Sequence, residues 1–166
     1  MIRSSRTAIY PGTFDPLTSG HLDILREAAS LFGRVIGAVG VNPGKVPMFS
    51  LEDRLEMLRS AVADEGWKNV EVSAFEGLTV DCARAHDAGF IVRGLRAVTD
   101  FEHELALVLA NEQLDSSIKT VFIMPSQKYL YLSSSIVRQA AEFGRRIIPG
   151  SVPAGVEEKL RERFGF

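Results

Sequence analysis

Short apolar runs alternate along the chain with segments whose apolar residues recur every three or four positions. The first run, Thr7 to Tyr10, is β-branched and aromatic, and Pro11, Gly12 and Pro16 then break any regular element. Leu22, Leu25, Ala29 and Phe32 follow at the spacing of one helix face, so the opening reads as strand, turn and helix. Val35 to Val41 is nearly unbroken apolar sequence, the pattern of a strand buried on both faces and parallel to the first. Asn42 to Pro47 is a loop carrying Lys45, and Ser50 with Asp53 resembles a capping box opening a helix through Ala63. Further strands are predicted at Val70 to Phe75, Phe90 to Val92 and Thr120 to Met124. Helices are predicted at Thr79 to Ala88, Asp100 to Leu114, Ser133 through Phe143, and Val156 to Phe164.

This alternation predicts an α/β fold: a Rossmann-like, doubly wound, parallel five-stranded sheet with helices on both faces, right-handed crossovers and a C-terminal helix. The whole of 1–166 reads as a single domain, with Ile148 to Pro153 as a flexible joint before the last helix. Ligands of such sheets bind beyond the carboxyl ends of the strands, where strand order reverses. Thr13, Lys45, Arg93 and the serines Ser133 to Ser135 are therefore expected to gather there. The predicted helix from Asp100 carries Phe101, Leu105, Leu107, Val108 and Leu109 over more than one face. A single sheet cannot cover that much apolar surface, so the helix is either central in its own domain or buried against another copy of the chain, and for so small a domain the second is the expectation.

Composition narrows the partners. Hydrophobic residues make up 46% and charged residues 24%, ordinary globular values, and the formal charge is -2. A slightly acidic chain has no general electrostatic hold on DNA, RNA or anionic membranes, so any nucleotide should sit in a local pocket. Cys82 is the lone cysteine, Met1 to Arg6 is polar with no apolar core behind it, and no run approaches membrane-spanning length. Those features predict a cytoplasmic protein without redox chemistry at Cys82.

The chemistry concentrates between Tyr10 and His21, where a strand ends in a glycine-bearing turn and a helix begins. Unpaired N–H groups and the positive end of a helix dipole make such a place an anion site. His21, at the helix start, can donate from a ring nitrogen to a phosphate; the plain alternative is a histidine that merely caps or packs on its helix. Arg93 and Arg96 stand at another strand end. Ser133 to Ser135 can cap their helix and also offer hydroxyls and N–H groups to phosphates. For Thr79 the alternative is a helix N-cap, and for Glu104 a surface ion pair. Asp15 is expected to fix the turn through backbone hydrogen bonds, with outer-shell contact to a metal as the other reading. No His, Cys, Asp and Glu cluster has the spacing of a protein-held metal site.

Gly12-Thr13-Phe14-Asp15 followed by Thr18-Ser-Gly-His21 is similar to the signature of the nucleotidyltransferase superfamily. The form with Thr18, together with Tyr10-Pro-Gly12, Pro47-Met-Phe49, Arg93-Gly-Leu-Arg96 and Leu132-Ser-Ser-Ser135, resembles the bacterial phosphopantetheine adenylyltransferases over Thr7 to Glu142. The resemblance implies transfer of AMP from ATP to 4'-phosphopantetheine, giving dephospho-coenzyme A and pyrophosphate. It also implies Mg2+ carried with ATP, a hexamer, and coenzyme A as a candidate feedback ligand. It assigns catalysis to His21, Lys45 and Arg93. ATP contacts fall on Thr13, Phe14, His21, Gly94, Leu95, Arg96 and Glu104, on the strip Tyr129, Leu130, Tyr131 and Leu132, and on Ser133, Ser134 and Ser135. The acceptor would meet Thr13, Lys45, Thr79 and Arg93. Asn42 departs from the serine or threonine expected there, and His103 stands where relatives carry tyrosine. The alternatives are another small-molecule nucleotidyltransferase, against which Thr18 and the Arg93 to Arg96 run argue, and a nucleotide-binding module without turnover, which does not require His21, Lys45 and Arg93 together.

Overall fold

In the computed structural model, which describes residues 6–44, 46–96 and 98–166, five parallel strands pair in the order β3-β2-β1-β4-β5. They are β1 (Thr7–Gly12), β2 (Arg34–Val41), β3 (Val70–Glu76), β4 (Phe90–Gly94) and β5 (Lys119–Ile123). The helices are α1 (Ser19–Leu31), α2 (Leu51–Asp64), α3 (Thr79–Ala85), α4 (Val98–Leu114), α5 (Ser134–Gly144) and α6 (Ala154–Phe164). The chain winds outward from β1 through β2 to β3, then returns to place β4 on the other side of β1. That reversal, with Ile9 opposite both Ile36 and Ile91, is the switch point the alternation predicts.

Alternate strand residues face opposite sides, and the core divides accordingly. Ala8, Tyr10, Val35, Val39 and Val92 pack under α1, α2, α5 and α6. Ile9, Ile36, Ala38 and Ile91 pack on the other side against Val80 and Ala83 of α3, and Ile118. Gly37 lets α2 lie close on β2: a Cβ there would stand 2.9 Å from Leu58 Cδ2.

Three local readings change. Pro11 does not end β1 but stays in it opposite Ala38, past the point where β4 pairs, so the strand has a partner on one side only and tolerates the missing N–H. The segment from Ile148 to Pro153 is no flexible joint. Ser151 and Val152 are buried, and the Ser151 carbonyl accepts the Ser19 N–H at 2.8 Å, satisfying one of the orphan donors of α1. Helix α3 stops at Ala85 because Asp87 turns left-handed (φ +52°) and Ala88 donates back to the Ala83 carbonyl. On α4, Phe101, Leu105, Leu107 and Leu109 are exposed, Leu109 to 54%, as its many-sided apolar pattern implies.

Asp23 of α1 joins the two halves of the sheet's upper edge. Its buried carboxylate accepts from the Ser126 backbone N–H (2.7 Å) and hydroxyl (2.8 Å), tying the chain beyond β5 onto α1. Asp23→Ala removes both charge-assisted bonds to Ser126, so unfolding in urea should show a loss of about 1.5–3 kcal/mol.

Candidate active site

A cavity of about 1070 Å³ opens above the C-terminal edge of β1, β2 and β4. Its floor is the turn from Gly12 to Thr18. Phe14 adopts the left-handed region (φ +49°), with its ring fully buried and edge-on to Tyr10 (centroids 5.6 Å) and His21 (5.1 Å). Such a backbone costs a non-glycine residue on the order of 1–2 kcal/mol, and this packing outweighs it. The ring also explains Gly12, where a Cβ would lie 2.9 Å from Phe14 Cζ.

The turn is pinned from outside. Asp15 is buried, and its carboxylate accepts from Met48 N (2.7 Å) and Phe49 N (2.9 Å) in the segment before α2. These backbone hydrogen bonds tie the turn to a distant segment rather than closing within the turn itself, and both oxygens are engaged. Arg138 of α5 donates to the Asp15 carbonyl and to Ser135 Oγ. Ser134 Oγ donates to the Pro16 carbonyl at 2.8 Å. Arg54 of α2, also buried, donates through Nη1 to the carbonyls of Thr13 (2.8 Å) and Gly40 (3.0 Å).

His21 has a defined tautomer. The Thr18 N–H, which can only donate, meets Nδ1 at 3.0 Å, and the His21 N–H returns to Thr18 Oγ1 at 3.2 Å, a reciprocal capping box. Nδ1 is therefore the acceptor and Nε2 carries the proton. Burial, reinforced by the charge of Arg96, pushes the imidazole down to about 4. His21 is thus a neutral N–H donor at neutral pH. The same side chain caps the helix and keeps one ring N–H to give.

Opposite the turn, Arg93 at the end of β4 makes a bidentate pair with Glu104 of α4, both bonds at 2.6 Å. That pair holds the guanidinium above its ordinary value. Glu104 is buried, not the surface partner its helix position suggested. Arg96 donates to the Leu132 carbonyl at 2.8 Å, linking the β4 exit to the serine helix. Ser133 caps α5, accepting from Ile136 N at 3.2 Å.

A family model described as cytidylyltransferase-like matches residues 9–140. Over 159 residues the chain is 48% identical to a phosphopantetheine adenylyltransferase from Carboxydothermus hydrogenoformans, covering 96% of each chain. It is 50% identical over 161 residues to one from Moorella thermoacetica, covering 97% of this chain and 99% of that one. The chain belongs to the phosphopantetheine adenylyltransferase family. A solved structure assigned as a nicotinate-nucleotide adenylyltransferase from Vibrio parahaemolyticus superposes with a TM-score of 0.71 at 19% identity, covering 96% of this chain and 94% of that one. At that identity the likeness speaks for the fold alone.

The cavity brings together most of the residues that the family motif singles out. Thr13, Phe14 and His21 line one side, Arg93, Gly94, Arg96 and Glu104 another, and Tyr129, Leu132 and Ser133 to Ser135 a third. Leu95, Leu130 and Tyr131 lie outside the wall; the Leu95 N–H goes to the Ile123 carbonyl and Tyr131 is exposed. Thr79 is also outside it and is not an N-cap either: Leu78 takes that position without a side-chain bond. Lys45 falls outside the described residues. Asn42 folds its own loop, Oδ1 accepting from Gly44 N at 2.9 Å. Cys82 is buried, which pushes its thiol up and away from reactive thiolate.

Sequence reading missed Arg54, Arg138, and Arg163 and Phe164 of α6, all in the wall. Arg54 left a signal, being a charge on the stripe that also carries Leu55, Leu58, Ala61 and Val62, all buried. Arg163, over the Phe49 ring at 5.6 Å, left none, because α6 reaches the cavity only through tertiary packing.

His21 also makes stability depend on pH. Its folded value lies below the ordinary value of about 6.5, so the unfolded chain takes up the proton first as pH falls. The contribution is complete above about 6.5 and is lost toward about 4. An NMR titration should place the His21 midpoint near 4, and a midpoint above 6 would contradict the neutral donor.

Proposed function

We propose that this chain transfers AMP from ATP to 4'-phosphopantetheine, releasing pyrophosphate and dephospho-coenzyme A. The observation that carries the reading is His21, fixed by Thr18 as an Nε2–H donor in the cavity of a chain whose relatives bear this activity as their name. The attacking phosphate is already anionic, so the reaction needs alignment and charge stabilisation rather than a base or a covalent nucleophile. His21 donates from Nε2 to the α-phosphate as charge accumulates there. Because it is neutral, the bond strengthens with the developing charge and adds no fixed cation to those around it.

Glu104 occupies Nε and Nη2 of Arg93 and so leaves Nη1 for the acceptor phosphate. Thr13 and Lys45 complete the acceptor side. Arg96 and the N-terminus of α5, with its serine hydroxyls, face the β- and γ-phosphates. Magnesium, whose preference for oxygen and water suits polyphosphate, arrives with ATP and neutralises those phosphates when bound. Asp15 does not serve it, since both carboxylate oxygens are held by Met48 and Phe49.

No helix among the described residues is long and apolar enough to cross a membrane. The chain works in the cytoplasm as a homo-oligomer, a hexamer by family resemblance, with the exposed apolar residues of α4 supporting burial against another copy. Coenzyme A, which contains the product's skeleton, is a feedback ligand of the same cavity.

Pyrophosphate should be released from ATP only when 4'-phosphopantetheine is present; equal rates with CTP and glycerol phosphate would overturn the assignment. His21→Ala should lower kcat by about 10²–10³ while the Kd for ATP stays within about threefold, since the donor acts mainly as charge develops. Light scattering should give a multiple of 18.2 kDa, and the mass of one chain would refute assembly through α4.

A further inference from the structure

Arg54 is 3% exposed, yet it belongs to the cavity wall at the end shared by Thr13 and Asn42. Its Nη1 binds the carbonyls at which β1 and β2 release the chain into the cavity, so one guanidinium sets the spacing of the two exits. Among the described residues no carboxylate pairs with it, and its Nε is buried without a hydrogen-bond partner. Arg93 and Arg138, the neighbouring wall arginines, have Glu104 and Asp15 beside them. A buried guanidinium without a counter-charge is costly unless an anion compensates it in the working state. Bracing two carbonyls does not require that arrangement, because an arginine with an acid beside it would brace them equally well.

We propose that Arg54 is a positioning residue for the acceptor phosphate. It holds the Thr13 turn and the β2 exit at a set distance, and its uncompensated charge is balanced when the phosphate of 4'-phosphopantetheine binds at that end of the cavity. The inference rests on the functional reading above, in which Thr13 and Lys45 face the acceptor while Arg96 and the serine helix face ATP. It adds that recognition of the acceptor's charge extends beneath the turn, to a side chain on α2.

Calorimetric titration of 4'-phosphopantetheine and of MgATP, each alone and at two salt concentrations, tests this with the full chain, Arg54→Met and Arg54→Lys. Arg54→Met should weaken the acceptor about tenfold or more and flatten its salt dependence, with the Kd for ATP within about threefold. Arg54→Lys keeps the charge but not the fork, so it should retain the salt dependence with a loss of about threefold. Equal weakening of both ligands would make Arg54 a general brace, and no weakening would remove it from binding; either result overturns the proposal. If circular dichroism shows that Arg54→Met does not fold, Arg54→Lys decides: an unchanged acceptor Kd, or an equal loss for ATP, overturns it. An unsubstituted chain that binds 4'-phosphopantetheine but releases no pyrophosphate with ATP overturns the assigned activity while leaving the Arg54 comparison intact. One that does not bind 4'-phosphopantetheine overturns both.

Discussion

The turn between β1 and α1 is held by side chains from elements far away in sequence, and the cavity depends on that bracing. Asp15 anchors it to the segment before α2, Arg54 grips the Thr13 carbonyl from α2, and Arg138 and Ser134 secure it from α5. A turn that keeps a buried phenylalanine at φ +49° would relax without such support. Packed between Tyr10 and His21, the same ring sets the position of the imidazole. Core packing and site geometry are one structure here.

The site's charges are also differentiated. Arg93 is tied to Glu104, which fixes its orientation, whereas Arg54 is buried and pairs with no carboxylate among the described residues. His21 stays uncharged between them because burial and Arg96 oppose its protonation. A cationic imidazole would give up the Nδ1 acceptor that receives the Thr18 N–H, and with it the ring's orientation. Neutrality is therefore built into the fold as well as suited to the chemistry.

The sheet's two faces are covered unequally. α1, α2, α5 and α6 bury one side, while α3 covers the other and α4 leaves much of its apolar surface open. The ends of β4 and α4 supply Arg93 and Glu104, so the helix with the exposed leucines also carries a cavity residue.

The sequence by itself determined the strand and helix order, the parallel sheet, the switch point and the family, because these rest on periodicity and on a contiguous motif between Gly12 and His21. It also pointed to the serine helix, to Arg93 and Arg96, and to the apolar excess of α4. Tertiary structure decided the rest. Glu104 became the partner of Arg93, Thr79 and Tyr131 fell outside the wall, Ile148 to Pro153 became a buried seal on α1, and Asp15, Arg54 and Arg138 became braces. Local pattern specifies which face of an element is apolar, but a polar side chain's partner depends on which element is packed opposite. Those partners lie up to 123 residues away, between Asp15 and Arg138, a distance over which sequence spacing carries no information about contact.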